Sequence, residues 1–225
     1  MIALPSFQEI ISHRVELSII HDLNYQKKLL GHNLYLPKQM QSLLLKRKCE
    51  FLAGRWCAVK AMQLLGVQGV SQPLIGKYNE PVWPKGVMGS ISHTHRTAVA
   101  ITIHTHSQIQ GIGIDREKLI NIAMANRFAN KILSAKEQTL GCAFFNFELF
   151  VTIGFSCKEA LFKAIFPQIL RVVNFDVAQI TQINLKDKMV ELTIKQNLSE
   201  NLYIGRKVQA FYQEFSGAIE SYVIV

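Results

Sequence analysis

Apolar and polar residues alternate over residues 14–20, which predicts an early strand. Pro37 opens a long stretch of helical spacing that runs to Leu65 and is closed by Gly66. Residues 69–89 are punctuated by Pro73, Gly76, Pro81, Pro84 and Gly86 and read as an irregular loop. Strand-like runs follow at 90–93, 97–104 and 109–117, then a second helical region over about 119–167. Alternation returns in 172–183, 190–195, 207–215 and 218–225, the pattern of an antiparallel sheet. Each half therefore holds helix and strands. This predicts an α+β fold of two similar-sized lobes, one over residues 1–111 and one over 112–225, without internal repeats or low-complexity segments.

The 225 residues are 49% hydrophobic and 18% charged, which supports a sizeable core and excludes a disordered tail or a small disulfide scaffold. No run approaches the roughly 18 to 20 apolar residues needed to span a bilayer. The first 17 residues lack a basic flank followed by an apolar signal core. Cys49, Cys57, Cys142 and Cys157 lie far apart with no CxxC pair, so zinc and disulfides are not expected. These features predict a cytoplasmic protein with reduced thiols and no transmembrane segment.

The net charge of +9 is unevenly spread. Residues 1–113 carry 12 basic against 5 acidic side chains and all seven histidines, whereas the remainder is nearly balanced. The first helical stretch alone holds Lys46, Arg47, Lys48, Arg55 and Lys60. A basic half calls for an anionic partner: nucleic acid, a phosphorylated small molecule or an acidic protein.

Candidate chemistry concentrates in three segments. In Gly111-Ile112-Gly113-Ile114-Asp115-Arg116-Glu117, strand alternation sets the two glycines and both carboxylates on one face, with Ile112, Ile114 and Arg116 on the other. Glycines within a strand mark close approach by another backbone or by a ligand. Two carboxylates about 5 Å apart repel by roughly 3 kcal/mol at an effective dielectric near 20, which a shared divalent cation would reverse and simple hydration at a strand end would relieve. Arg116 fits an exposed opposite face.

The second segment runs from Phe155 to Pro167. Leu161, Phe162, Ile165 and Phe166 form an apolar arc with Glu159 and Lys163 at its margin, either an ordinary i,i+4 pair or an acid and base sharing one ridge. Lys158 falls inside the arc, where its ammonium must reach outward along its stem or find an anion. In the third, a Trp83-Pro84 loop enters a strand ending in Ser92 and His93, whose hydroxyl, imidazole and glycine-rich backbone can together hold a phosphate. The pairs His93/His95 and His104/His106 read as surface or core histidines rather than metal ligands.

Taken together, Gly54-Arg55, Gly89-Ser90-Ile91-Ser92-His93, the acidic strand motif and the run Phe155 to Ala164 resemble the 4′-phosphopantetheinyl transferases, in particular the enterobactin-synthetase component D type, over roughly residues 47–167. The resemblance implies pseudo-twofold α+β lobes with coenzyme A in the cleft between them. It also implies transfer of phosphopantetheine to a serine of an apo acyl or peptidyl carrier protein, releasing adenosine 3′,5′-bisphosphate. By motif, Asp115, Glu117 and Glu159 would hold Mg²⁺, and Lys163 would contact the phosphate under attack. Arg47, Arg55, Ser92, His93 and Lys158 would serve coenzyme A. Asn79 stands where relatives commonly have an arginine, a loss that Lys77 or Lys85 would make good. Glu159 or Glu117 would accept the serine proton, so the chain needs no nucleophile of its own. The type implies siderophore or other secondary-metabolite synthesis, no nucleic-acid partner, and docking of an acidic carrier on the basic half. Two alternatives remain: a metal-dependent phosphohydrolase, and a nucleic-acid-binding protein using the basic helix.

Overall fold

The computed structural model describes residues 13–106, 108–142, 146–215 and 217–225. The chain divides into two compact units, Met1–Ile109 and Gln110–Val225. The division falls two residues before the position expected from the sequence, because Gln110 and Gly111 both donate to the Val225 carbonyl and Val225 donates back to Gly111. The first 12 residues of the expected first lobe lie outside the described residues.

In the first unit, β1 (Val15–Ser18), β5 (Thr97–His104) and β4 (Val87–His93) form an antiparallel sheet in the order β1-β5-β4. The helices are α1 (Leu23–Leu30) and α2 (Leu45–Leu64), and the strands β2 (Leu74–Ile75) and β3 (Pro81–Val82) pair as a minimal hairpin inside the expected loop. Cys49, Leu52, Ala53, Cys57 and Ala58 of α2 pack with Ala98 and Ala100 of β5 in one apolar cluster. Gly54 keeps the helix close to β4, since a Cβ there would lie 3.0 Å from Ile91 Cγ2.

α2 starts eight residues later than the periodicity predicts. Residues 38–40 form a 3₁₀ turn, and the bonds Met40 N to Pro37 O and Gln41 N to Lys38 O consume carbonyls that an α-helix would give to residues one further on. Its end agrees with expectation. Gly66 takes φ +85°, and Gly66 N to Gln63 O and Val67 N to Met62 O close a Schellman motif.

The second unit is a five-stranded antiparallel sheet, β6-β10-β9-β8-β7, from β6 (Ile112–Lys118), β7 (Ala178–Asn184), β8 (Met189–Ile194), β9 (Lys207–Phe215) and β10 (Ala218–Ile224). The second helical region resolves into α3 (Ile122–Ile132), α4 (Ala135–Cys142) and α5 (Phe147–Ile169), with residues 143–145 outside the described set. Each helix begins on a readable cap. Asn121 Oδ1 accepts Met124 N, Asn146 Oδ1 accepts Leu149 N, and Ser134 and Glu137 bond each other's backbone N–H reciprocally. Phe150, Ile153, Cys157, Ala160, Leu161, Ala164 and Ile165 bury the inner face of α5 in the unit's main core.

The strand glycines are explained by that packing. A Cβ on Gly111 would sit 1.9 Å from Ala164 O, and one on Gly113 would sit 1.9 Å from Ala160 O. The close approach is therefore by helix backbone. It fixes which face of β6 meets α5, and so where the carboxylates fall.

Candidate functional site

β6 lays its glycine face along α5 and so carries Asp115 and Glu117 to the ridge bearing Glu159 and Lys163. Ser156 Oγ of α5 donates to the Asp115 carbonyl at 3.3 Å. Lys163 Nζ reaches from the helix to Asp115 Oδ1 at 2.7 Å and to Ile114 O at 3.1 Å. Burial, then the Asp115 charge, pushes the Glu117 carboxyl up to about 8, with Glu159 adding to the rise and Lys163 opposing it. Glu159 is raised too, by burial and then by Asp115, again against Lys163. Three carboxylates thus feel one another, with one ammonium among them.

Among the described residues no group of three His, Cys, Asp or Glu side chains is assembled to hold a metal ion. Lys163 bonds Asp115 and adds one positive charge beside the carboxylates. The donor set itself, carboxylate oxygens only, with Glu117 and Glu159 both raised by burial and then by the Asp115 charge, fits a hard divalent cation such as Mg²⁺.

Lys158 does not belong with these residues. Its side chain is 4% exposed, and it finds its anion inside the unit: Nζ lies 2.7 Å from Glu137 Oε1, and donates to Ile132 O at 2.9 Å and Phe175 O at 3.2 Å. These three bonds bind the ammonium inside the fold, which corrects its assignment to coenzyme A. Arg116 is likewise corrected. It is buried rather than exposed, paired with Glu220 at 3.1 Å and set over the Phe215 ring at 4.7 Å. Tyr222 donates to the other Glu220 oxygen. A largely apolar hollow is bordered by Lys158, Glu159, Leu161, Phe162, Val172 and Val173.

In the first unit the structure brings Arg47 and His93 together. Arg47 Nη1 lies 3.0 Å from His93 Nε2 and 3.1 Å from Glu50 Oε2, and His21 Nε2 stands 4.0 Å from the other Glu50 oxygen. A guanidinium can only donate, so His93 Nε2 is the acceptor in this contact and the imidazole proton sits on Nδ1. Ser92 is buried on the opposite side of β4, since neighbours alternate along a strand.

Arg55 lies over the Phe51 ring at 4.6 Å, and burial draws its guanidinium down to about 10. Among the described residues its Nε has no hydrogen-bond partner. Lys77 is exposed on the β2–β3 turn beside Tyr78. Asn79 takes φ +68° in that turn, a conformation asparagine tolerates far better than arginine does.

Sequence reasoning missed Glu50, Glu137 and Glu220, the anions of these pairs. Only Glu137 left a local signal, the Ser134-x-x-Glu137 capping box.

Comparison with known proteins gives a consistent picture. A family model described as 4′-phosphopantetheinyl transferase N-terminal domain matches residues 37–103, and one described as 4′-phosphopantetheinyl transferase superfamily matches residues 111–223. Enterobactin synthase component D of Salmonella typhi is 39% identical over 154 residues, 67% of this chain and 62% of the relative. That of Escherichia coli strain K12 is 40% identical over 134 residues, 58% of this chain and 62% of the relative. The 4′-phosphopantetheinyl transferase PptT of Mycobacterium tuberculosis is 33% identical over 144 residues, 60% of this chain and 59% of the relative. The alignments thus span less than two thirds of these relatives' length. Among solved structures, the holo-[acyl-carrier-protein] synthase of Thermotoga maritima is 22% identical with a TM-score of 0.42, over 52% of this chain and 63% of that one. No helix among the described residues is long and apolar enough to cross a membrane.

Proposed function

Because the chain belongs to the 4′-phosphopantetheinyl transferase superfamily, we propose that it moves the 4′-phosphopantetheine group of coenzyme A onto a serine of an apo acyl or peptidyl carrier protein, releasing adenosine 3′,5′-bisphosphate. The observation that carries this reading is the contact of Lys163 with Asp115 beside two carboxylates raised by charge and burial, within the matched residues 111–223. Asp115, Glu117 and Glu159 would hold Mg²⁺, which when bound supplies positive charge against the coenzyme's diphosphate.

The residues divide the work by chemistry. Lys163 offers an ammonium on a flexible stem to the phosphate under attack. The carrier serine oxygen forms a bond to the phosphorus of phosphopantetheine as the bond to adenosine bisphosphate breaks, and the serine proton goes to a carboxylate. Glu117 and Glu159 are the candidates for that role. Arg47 and His93, already in contact, and the buried Arg55 are assigned to the nucleotide phosphates, with Lys77 as an exposed contributor. The basic first half suits docking of an acidic carrier. Similarity to the enterobactin synthase components supports a place in siderophore or other secondary-metabolite synthesis.

The test incubates the protein with coenzyme A, Mg²⁺ and a panel of apo carrier proteins and weighs the products by mass spectrometry. Addition of one phosphopantetheine to a carrier is expected. No addition to any carrier class refutes the transfer reading, and free phosphopantetheine without carrier labelling points instead to a phosphohydrolase.

A further inference from the structure

The geometry points to Lys163 as an internal counter-ion that occupies the metal-binding carboxylates in the ligand-free protein and must leave Asp115 before a divalent cation can bind there. This rests on the function proposed above. Two observations support it. Lys163 Nζ bonds Asp115 Oδ1 at 2.7 Å, the separation of a strong charge-assisted pair. The lysine side chain is 26% exposed whereas Asp115 is 4% exposed, so the lysine can swing outward while the carboxylate stays fixed.

A dication at Asp115 and an ammonium 2.7 Å from the same oxygen repel each other. An incoming diphosphate resolves the conflict, because it gives the ammonium a second anion outside the carboxylate cluster. Metal and coenzyme A are then positively coupled through one side chain, and each raises the other's affinity by the same factor. A ligand-free protein with Lys163 in place binds metal weakly.

The experiment titrates Mn²⁺, as a spectroscopic probe of the cation site, into wild type, Lys163→Met and Lys163→Arg, following free Mn²⁺ by electron paramagnetic resonance without coenzyme A. Circular dichroism confirms the fold of each variant. Lys163→Met is expected to bind Mn²⁺ at least tenfold more tightly than wild type, and Lys163→Arg, which keeps the charge, to stay near wild type. Adding saturating coenzyme A is expected to tighten Mn²⁺ binding to wild type at least tenfold and to affect Lys163→Met much less. Equal or weaker Mn²⁺ binding by Lys163→Met without coenzyme A overturns the inference, as does an absence of Mn²⁺ binding by all three proteins. Carrier labelling by wild type is measured separately. Labelling without the Mn²⁺ difference removes this inference alone, and the difference without labelling removes the transferase reading alone.

Discussion

Replacing Lys158 by methionine removes a cation from the interior of the second unit and leaves its anion behind. Glu137 is 1% exposed on its side chain, with one oxygen accepting Ser134 N at 2.7 Å and the other accepting Ile180 N at 2.8 Å besides the ammonium at 2.7 Å. In Lys158→Met the carboxylate keeps two backbone donors but loses its counter-charge, and the Ile132 and Phe175 carbonyls lose their lysine donor. Breaking one side of such a buried pair costs about 3 to 5 kcal/mol, against a total stability of about 5 to 15 kcal/mol for a domain. The double variant Glu137→Gln/Lys158→Met removes the stranded charge. It is expected to lose about half as much as the single lysine variant, which makes the coupling measurable in a double-mutant cycle.

The assay has to look at the right unit. Both tryptophans, Trp56 and Trp83, lie in the first unit, so their fluorescence does not report this loss. Amide exchange at Ile180, whose N–H bonds Glu137, reports it directly. A loss of 3 kcal/mol corresponds to exchange faster by about two powers of ten, with a matching fall in urea stability by circular dichroism. Exchange at Ile180 within threefold of wild type, together with a stability change below about 1 kcal/mol, would refute the claim that this bridge ties α3, α4, α5 and β7 together.

Glu159→Gln is expected to lower carrier labelling by about two powers of ten or more while leaving the circular dichroism spectrum unchanged; near wild-type labelling contradicts its place at the site. Gly113→Ala is expected to destabilise the second unit by about 3 kcal/mol or to abolish soluble expression, since its methyl meets helix backbone 1.9 Å away rather than a movable side chain; a urea midpoint equal to wild type speaks against the packing described. In metal-free buffer the Glu117 carboxyl titrates near 8 when folded and near 4.5 when unfolded, so the folded state binds the extra proton and stability falls as pH rises through that window. Glu117→Gln flattens that fall; a parallel decline in both proteins removes Glu117 as its source.

The order of elements was legible because periodicity is local. The strand 207–215 follows from alternation and 97–104 from an unbroken strand-like run. The start of α2 was not legible, since a proline permits a helix to begin without saying whether the next turn is α or 3₁₀. Gly111 and Gly113 announced a close approach but not by what, and the answer, the carbonyls of Ala160 and Ala164, lies some fifty residues downstream. Lys158 announced an unmet need for an anion, which a capping-box glutamate 21 residues upstream supplies. Arg116 was read as exposed because its strand neighbours set the face. Its burial depends on Glu220, which sits directly opposite it on β10 and 104 residues away.

These three cations show why charge type alone could not assign function in the second unit. Each is paired with a buried carboxylate: Lys158 with Glu137, Arg116 with Glu220 and Lys163 with Asp115. What separates them is access. The Lys158 and Arg116 side chains are 4% and 9% exposed and can change partner only if the unit opens, so their pairs hold the sheet and helices in place. Lys163, at 26%, can swing towards solvent while its buried carboxylate stays in place, which is what the partner exchange proposed for it requires. A motif of adjacent lysine and glutamate residues on one helix thus contains two opposite roles, and the direction in which each ammonium leaves the helix decides between them.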